Sequence, residues 1–372
     1  MPRIQTFETW ACEKRRDQST DYRAQGHRFS EVARIVVVKI TDEDGFEGIA
    51  TCMAEHSIRV TKGYLHDMIG PIVIGRDIYD REAIYKELWR MDRHLMFFPV
   101  TVLGAVDVAL WDIAAKRAKM PLYRYLGGSR TSLPVYYSAQ FMDKIDDYVA
   151  EVKRARSMGF NAYKVHSKEN LEIFTAVREA AGSDMKLMVD SVTDWTFEQA
   201  LRVGRHLEKL NYYWMEEPFR DWNLERYAKL CTALDIPIAG TEVNAGGLWG
   251  VAQAIHFGAV DIVRADVAYG KMGVTETLKV AHLAEAFGMN CEIHCTLMGP
   301  MDIANLHVSC AINNCEFFEL HMPEKVFQFP MKEPYPIDDK GMIHVPQTPG
   351  LGFEIDWDSV DNSTLEKLTA RA

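Results

Sequence analysis

The chain has 372 residues, 48% of them hydrophobic, enough to bury a large core and more than one compact unit usually holds, so one large domain and a smaller one are expected. Its formal net charge of −11, without a lysine-rich or arginine-rich tail, excludes nucleic acid as the expected partner. No apolar run reaches the roughly 18 residues that span a bilayer, and the opening MPRIQTFETW lacks a basic-then-apolar export pattern, so no membrane contact and a cytoplasmic protein are expected.

The first third does not alternate strand and helix. Residues 33–40, ARIVVVKI, form a β-branched run, and TDEDGFEG supplies an Asp-Gly turn into a second strand near Ile49, which predicts a hairpin. Helical spacing follows near 60–73, 81–92 and 101–118, the last with Val102, Val106, Ala109, Leu110 and Ile113 on one face. This predicts an α+β capping domain over residues 1–125.

From about residue 133 the pattern changes to short apolar runs separated by amphipathic helices, as in parallel strands joined by crossovers. The runs begin at 133 (LPVYYSA), 161 (NAYKVH), 186 (KLMVD), 212 (YYWME), 237 (PIAGTE), 261 (DIVRAD), 289 (MNCEIH) and 315 (CEFFEL). Eight strands with seven helices between them predict an α/β fold, a closed barrel of the TIM type over 126–325. The Pro-containing segment 326–372 is expected to pack back on the cap. Seven scattered cysteines read as reduced thiols; Cys291 and Cys295 stand on either side of His294, but the plainer reading is two small strand-end residues rather than a soft-metal pair.

Functional groups of such a barrel lie where strands end. Strands three, four and five end in Asp190, Glu216 and Glu242, each 26 residues after the last. Three acids at one height repel unless a cation neutralises them, and Mg²⁺ suits an oxygen-only set with open positions. Any one of them alone could be a helix cap or a lysine partner. Thr196 and Gln199 already supply the cap after strand three, which leaves Asp190 without that task. Lys164 and His166 lie two apart on strand two and share a face. Asp266 and His294 end strands six and seven, where a carboxylate fixes the imidazole tautomer and raises its basicity. Glu319 is expected to end strand eight, either polarising a substrate or forming a structural ion pair.

These residues, with AVDVALWDIAAKRAKMPLYRYLGG before the barrel, YKVH, MVD, WMEEP, GTE, RAD and EIH, give a chain that resembles the enolase superfamily, and within it the mandelate racemase-like subgroup. The resemblance implies a modified (β/α)₇β barrel, Mg²⁺ on Asp190, Glu216 and Glu242, an Asp266–His294 base pair, Glu319 as an electrophilic aid, homo-oligomers, and a cap loop closing over the site. Two positions depart from the subgroup pattern: His166 stands where the second lysine of Lys-x-Lys is common, and Val192 where many members carry Asn.

Such a site removes the proton beside a substrate carboxylate, with Mg²⁺ and Lys164 offsetting the enediolate charge and His166 and His294 on opposite faces. The cap loop EKRRDQSTDYRAQGHRF offers Lys14, Arg15, Arg16, Tyr22, Arg23 and His27, and His56 follows the hairpin; these donors suit a polyhydroxylated or second-carboxylate substrate, unless the run is only a solvated face. The expectation is dehydration of a sugar acid by β-elimination. Racemisation, epimerisation or cycloisomerisation through the same intermediate is the runner-up, and a barrel that binds without reacting is the reading from another class.

Overall fold

The computed structural model describes residues 2–16, 32–54, 57–94, 98–244, 246–269, 273–295 and 299–372. β1 (Ile4–Arg15) pairs antiparallel with β2 (Val32–Asp42), itself paired with β3 (Glu47–Met53). The expected hairpin forms because Asp42 Oδ1 accepts from the amides of Asp44 and Phe46, both at 3.0 Å, and Gly45 takes the left-handed turn at φ 84°. Sequence reading missed β1, and with it the placement of Lys14 and Arg15, which lie at the end of this strand and not in a loop. It also missed the strand Thr364–Arg371, which adds to the free edge of β1. The other face of β1 and β2 is closed by the C-terminal segment, where Trp10 packs on Trp357 at 5.1 Å and Val360 is buried.

Helical segments run from Ile58 to Val73, Arg81–His94 and Val102–Arg117. The last is buried on nearly all sides because it is wedged between the small sheet and the barrel. Two glycines allow this approach: a Cβ on Gly48 would lie 2.0 Å from Ala109 O, and one on Gly104 would lie 2.2 Å from Val267 O.

The expected eight strands follow as β4 (Ser132–Ser138), β5 (Ala162–His166), β6 (Lys186–Asp190), β7 (Trp214–Glu216), β8 (Ile238–Gly240), β9 (Ile262–Ala265), β10 (Cys291–Ile293) and β11 (Phe318–His321). They pair in parallel in the order β10-β9-β8-β7-β6-β5-β4-β11, with seven helices as crossovers among the described residues. The described residues form no ladder between β10 and β11. That seam is bridged instead by Glu292, whose carboxylate accepts from Glu316 N at 2.9 Å and Phe317 N at 3.1 Å. Period-2 alternation sends one set of side chains outward into the main core and the other inward. Tyr136, Ala162, Met188, Trp214, Ala239 and Phe317 form an apolar plug at the bottom, so Lys164, Asp190, Glu216 and Glu319, each two residues further along its strand, are stacked above it toward the mouth. The segment after β11 first lays Met342–His344 along β4 and then reaches the small sheet. Among the described residues no helix is long and apolar enough to cross a membrane.

Candidate active site

Strand register lines up the acids. His166 is level with Asp190, and Asp190 with Glu216, on three adjacent strands. Glu242 lies beyond the end of β8, where the chain turns through Thr241 at φ 83°. The second Glu of WMEEP drives this turn: Glu217 Oε1 accepts from Thr241 N at 2.8 Å and Glu242 N at 3.3 Å. One oxygen each from Asp190, Glu216 and Glu242 then falls within 4.8 Å of the others.

Each acid has a different set of partners. Asp190 Oδ1 accepts from Val192 N at 2.7 Å, and its Oδ2 lies 3.2 Å from His166 Nε2 and 3.5 Å from Lys164 Nζ. Burial alone would raise its carboxyl, but Lys164, His166 and that amide hold it well below the usual range. Glu216 accepts from Trp214 Nε1 at 3.0 Å on one oxygen and meets Lys164 at 3.1 Å and Arg264 at 2.8 Å on the other. Glu242 is different: its buried Oε2 has no hydrogen-bond donor, and the nearest positive group is His294 Nε2 at 3.6 Å. Burial, with Asp190 and Glu216 close by, pushes the Glu242 carboxyl up to about 7 despite His294. A buried carboxylate oxygen without a donor, beside two more acids, is the feature a hard cation answers.

Lys164 is fully buried and touches Asp190, Glu216 and Glu319, the last at 2.7 Å. Burial lowers its ammonium pKa, but the three acids outweigh burial and raise it, so the group stays charged. Two histidines flank the three acids. His166 donates from Nδ1 to Ala139 O, which turns Nε2 toward Asp190. His294 donates from Nδ1 to Asp266 Oδ2 at 2.7 Å, which turns its Nε2 toward Glu242. Burial lowers the His294 pKa, yet Glu242, Asp266 and Glu319 raise it to about 10. Asp266 Oδ1 is fixed in turn by Ala268 N at 2.7 Å and Asn305 Nδ2 at 2.9 Å.

The expected residues Lys164, His166, Asp190, Glu216, Glu242, Asp266 and His294 are thus gathered at one mouth. Glu319 reaches it too, but inside β11 rather than at its end, and the position at the strand end is His321. Burial would raise Glu319, but Lys164 and Arg264 hold it well below the carboxylate range. It accepts from both cations, the ion pair that sequence reading set beside an electrophilic part. Arg16 holds its guanidinium 5.7 Å from the Phe327 ring, which packs 6.1 Å from His321. Tyr22, Arg23, His27 and His56 lie outside the described residues. All seven cysteines are free thiols; Cys295 contributes only its backbone here, donating to Glu319 and accepting from His321.

Four residues of the mouth escaped sequence reading: Arg264, Asn305, Glu217 and His321. His321 is two positions from Glu319, and Arg264 two from Asp266, so the strand period that pairs Lys164 with His166 could have found both. His321 donates from Nε2 to Cys295 O at 3.0 Å and accepts from Gln140 Nε2 at 3.0 Å, and burial pushes its imidazole down to about 3. It is a neutral ring standing 6.1 Å from His166 and 6.2 Å from His294.

Comparison with known proteins agrees with this fold. Residues 26–127 match the mandelate racemase / muconate lactonizing enzyme N-terminal domain, and residues 147–359 the enolase C-terminal domain-like model. The chain is 33% identical to an arabinonate dehydratase of Saccharolobus solfataricus, over 86% of this chain and 88% of that one. It is 31% identical to a D-galactarolactone cycloisomerase of Agrobacterium fabrum, over 96% and 98% of the two chains. Among solved structures, a D-glucarate dehydratase from Agrobacterium tumefaciens complexed with magnesium superposes with a TM-score of 0.86 at 31% identity, covering 98% of this chain and 99% of that one.

Proposed function

From the premise that the chain belongs to the mandelate racemase / muconate lactonizing enzyme family of the enolase superfamily, we propose that it dehydrates a sugar acid in a magnesium-dependent β-elimination. The observation that carries this reading is the order around the mouth: His166, Asp190, Glu216, Glu242 and His294, a cation-seeking triad between two imidazoles. Asp190, Glu216 and Glu242 are the residues to hold Mg²⁺, which when bound offsets the charge that builds on the substrate carboxylate as its α-proton leaves.

Lys164 presents a permanent ammonium to the same carboxylate. His294, oriented by Asp266 and neutral once a cation balances the Glu242 charge that raises its pKa, takes the α-proton on Nε2 to give the enediolate. The same imidazolium then returns that proton to the β-hydroxyl, which departs as water and leaves the enol of a 2-keto-3-deoxy acid. One group serves both steps when proton and hydroxyl lie on one face. His166 covers the other face. A cavity of about 590 Å³, lined by Phe141, Met142, Ser167, Ser191, Val192 and Asp194, opens beside His166 and Asp190 and gives room for the hydroxylated chain.

The two imidazoles on opposite sides also favour a second reading, racemisation, epimerisation or cycloisomerisation through the same enediolate, the last being the activity named for the Agrobacterium fabrum relative. A panel of acid sugars with Mg²⁺, assayed for 2-keto-3-deoxy acid, separates the two. Keto-acid from at least one sugar acid supports dehydration, and isomer without keto-acid supports the second reading. Assembly into a homo-oligomer and a cytoplasmic setting, in keeping with seven free thiols, belong to the same proposal.

A further inference from the structure

Arg264 is a fully buried cation between two buried acids. Its Nη2 lies 2.6 Å from Glu319 Oε2, its Nε 2.8 Å from Glu216 Oε1, and its Nη1 donates to Glu292 O at 3.1 Å. The Nε contact is an ion pair rather than an aligned hydrogen bond, since that nitrogen lacks a well-directed acceptor. Lys164 approaches the same acids from the other side, at 2.7 Å from Glu319 and 3.1 Å from Glu216. Two cations and two carboxylates therefore close a four-membered ring of charge in the floor of the mouth.

This ring bears on what Lys164 can do. If Glu319 had Lys164 as its sole counter-charge, any movement of the ammonium toward a substrate carboxylate would leave a buried acid unpaired, which is strongly unfavourable. A second cation on both acids removes that penalty. We propose that Arg264 is a positioning residue: it carries the counter-charge of Glu216 and Glu319, and so releases Lys164 to bind the substrate carboxylate. The proposal rests on the reading of the mouth as a carboxylate-binding site, but not on which sugar acid is turned over. A plain structural fastener would have the same contacts, so the test must move something that packing does not.

The test uses the Mg²⁺-loaded protein and oxalate, a planar dianion resembling an enediolate that the reaction cannot consume, with binding measured by calorimetry. Arg264→Met should weaken oxalate by at least about tenfold, because Lys164 is held by Glu319. Mn²⁺ affinity, read by electron paramagnetic resonance, should be unchanged or tighter, since a positive charge beside Glu216 has gone. Arg264→Met with Glu319→Gln removes the matching acid and should return oxalate to within about threefold of wild type, a non-additive rescue. Arg264→Lys should fall between. If Arg264→Met does not fold, the charge-balanced double variant carries the test, with the same threefold expectation. Oxalate bound by the double variant more than about tenfold below wild type, by Arg264→Met as in wild type, or a large loss of Mn²⁺ affinity would each overturn the proposal. Wild-type binding of oxalate without turnover of any sugar acid would sink the dehydratase reading alone.

Discussion

His294 Nδ1 lies 2.7 Å from Asp266 Oδ2, and this contact decides which nitrogen faces the mouth. With Nδ1 donating, Nε2 is the nitrogen that exchanges protons with a substrate. His294→Asn should lower product formation by about 100-fold or more, measured as keto-acid release. It can still permit α-deuterium exchange by His166 if the substrate presents its proton to that side. His166→Asn should keep dehydration. Wild-type dehydration by His294→Asn would move the acid role to His166.

Asn305 tests the dyad without touching its titrating groups. Its amide donates to Asp266 Oδ1 and His294 O, both at 2.9 Å, and accepts from Val267 N at 3.0 Å. Asn305→Leu should cut kcat by roughly tenfold to 100-fold with little change in KM, since it frees the carboxylate that orients the imidazole. Chemical denaturation should report a loss of about 1–3 kcal/mol from the unpaired Val267 amide. Equal loss of kcat and substrate binding would mean that Asn305 shapes the pocket instead.

Glu242 contributes to the pH dependence of the protein in chelator, beside the buried Glu276 and Asp107, which are also raised. Its carboxyl is raised from 4.5 to about 7, so the folded chain keeps a proton that the unfolded chain releases. The stability this contributes is fully present below the unfolded pKa and is lost as pH rises through the folded one, the window between 4.5 and about 7. In chelator, melting temperature should fall across that window, and Glu242→Gln should flatten the slope. Because a cation must displace the proton, the rise in melting temperature on adding Mg²⁺ should grow with pH up to about 7 and then level. A Mg²⁺ shift independent of pH would contradict the assignment of Glu242 as a ligand.

Val192 is a β-branched residue at φ 53° followed by Thr193 at φ 60°, both in the left-handed region. The strain is held by the bond from Val192 N to Asp190 Oδ1 and that from Thr193 N to Glu217 O at 2.8 Å. The Val192 side chain is half exposed, so Val192→Asn sacrifices little packing and enters a conformation that Asn tolerates. It should stabilise the fold by about 1 kcal/mol in denaturant titration. Destabilisation would show that the valine side chain is held by contacts the bare pocket does not reveal.

The eight barrel strands were legible as short apolar runs, and the three acids because strands three to five each run into a carboxylate, a pattern confined to one segment. The capping box of Thr196 and Gln199 is local in the same way and forms as expected. β1 was missed because IQTFETWACEKR is interrupted by Thr and Glu, and its strand character comes from pairing with partners both near and more than 300 residues away. Arg264 was within reach of the strand period, but Asn305 and Glu217 were illegible as site residues for a related reason. Their partners lie on other strands or helices, and no spacing within one segment announces such a meeting. Glu319 was found, but its pairing with Arg264 and Lys164 lies across the barrel and could not be read from its own strand.

The central claim is a cation held by Asp190, Glu216 and Glu242 that makes removal of an α-proton possible. Proton NMR of a sugar-acid panel in D₂O, with Mg²⁺ and with chelator, tests it most directly when wild type is run beside Glu242→Gln. Glu242 is the suitable ligand to change, because its Oε2 supports no donor, whereas Glu216→Gln would strip a partner from two buried cations. The account predicts loss of the α-proton signal and growth of 2-keto-3-deoxy acid in wild type with Mg²⁺. It predicts neither in chelator nor in a folded Glu242→Gln protein. Loss of the α-proton at the same rate in chelator, or in Glu242→Gln, would contradict it.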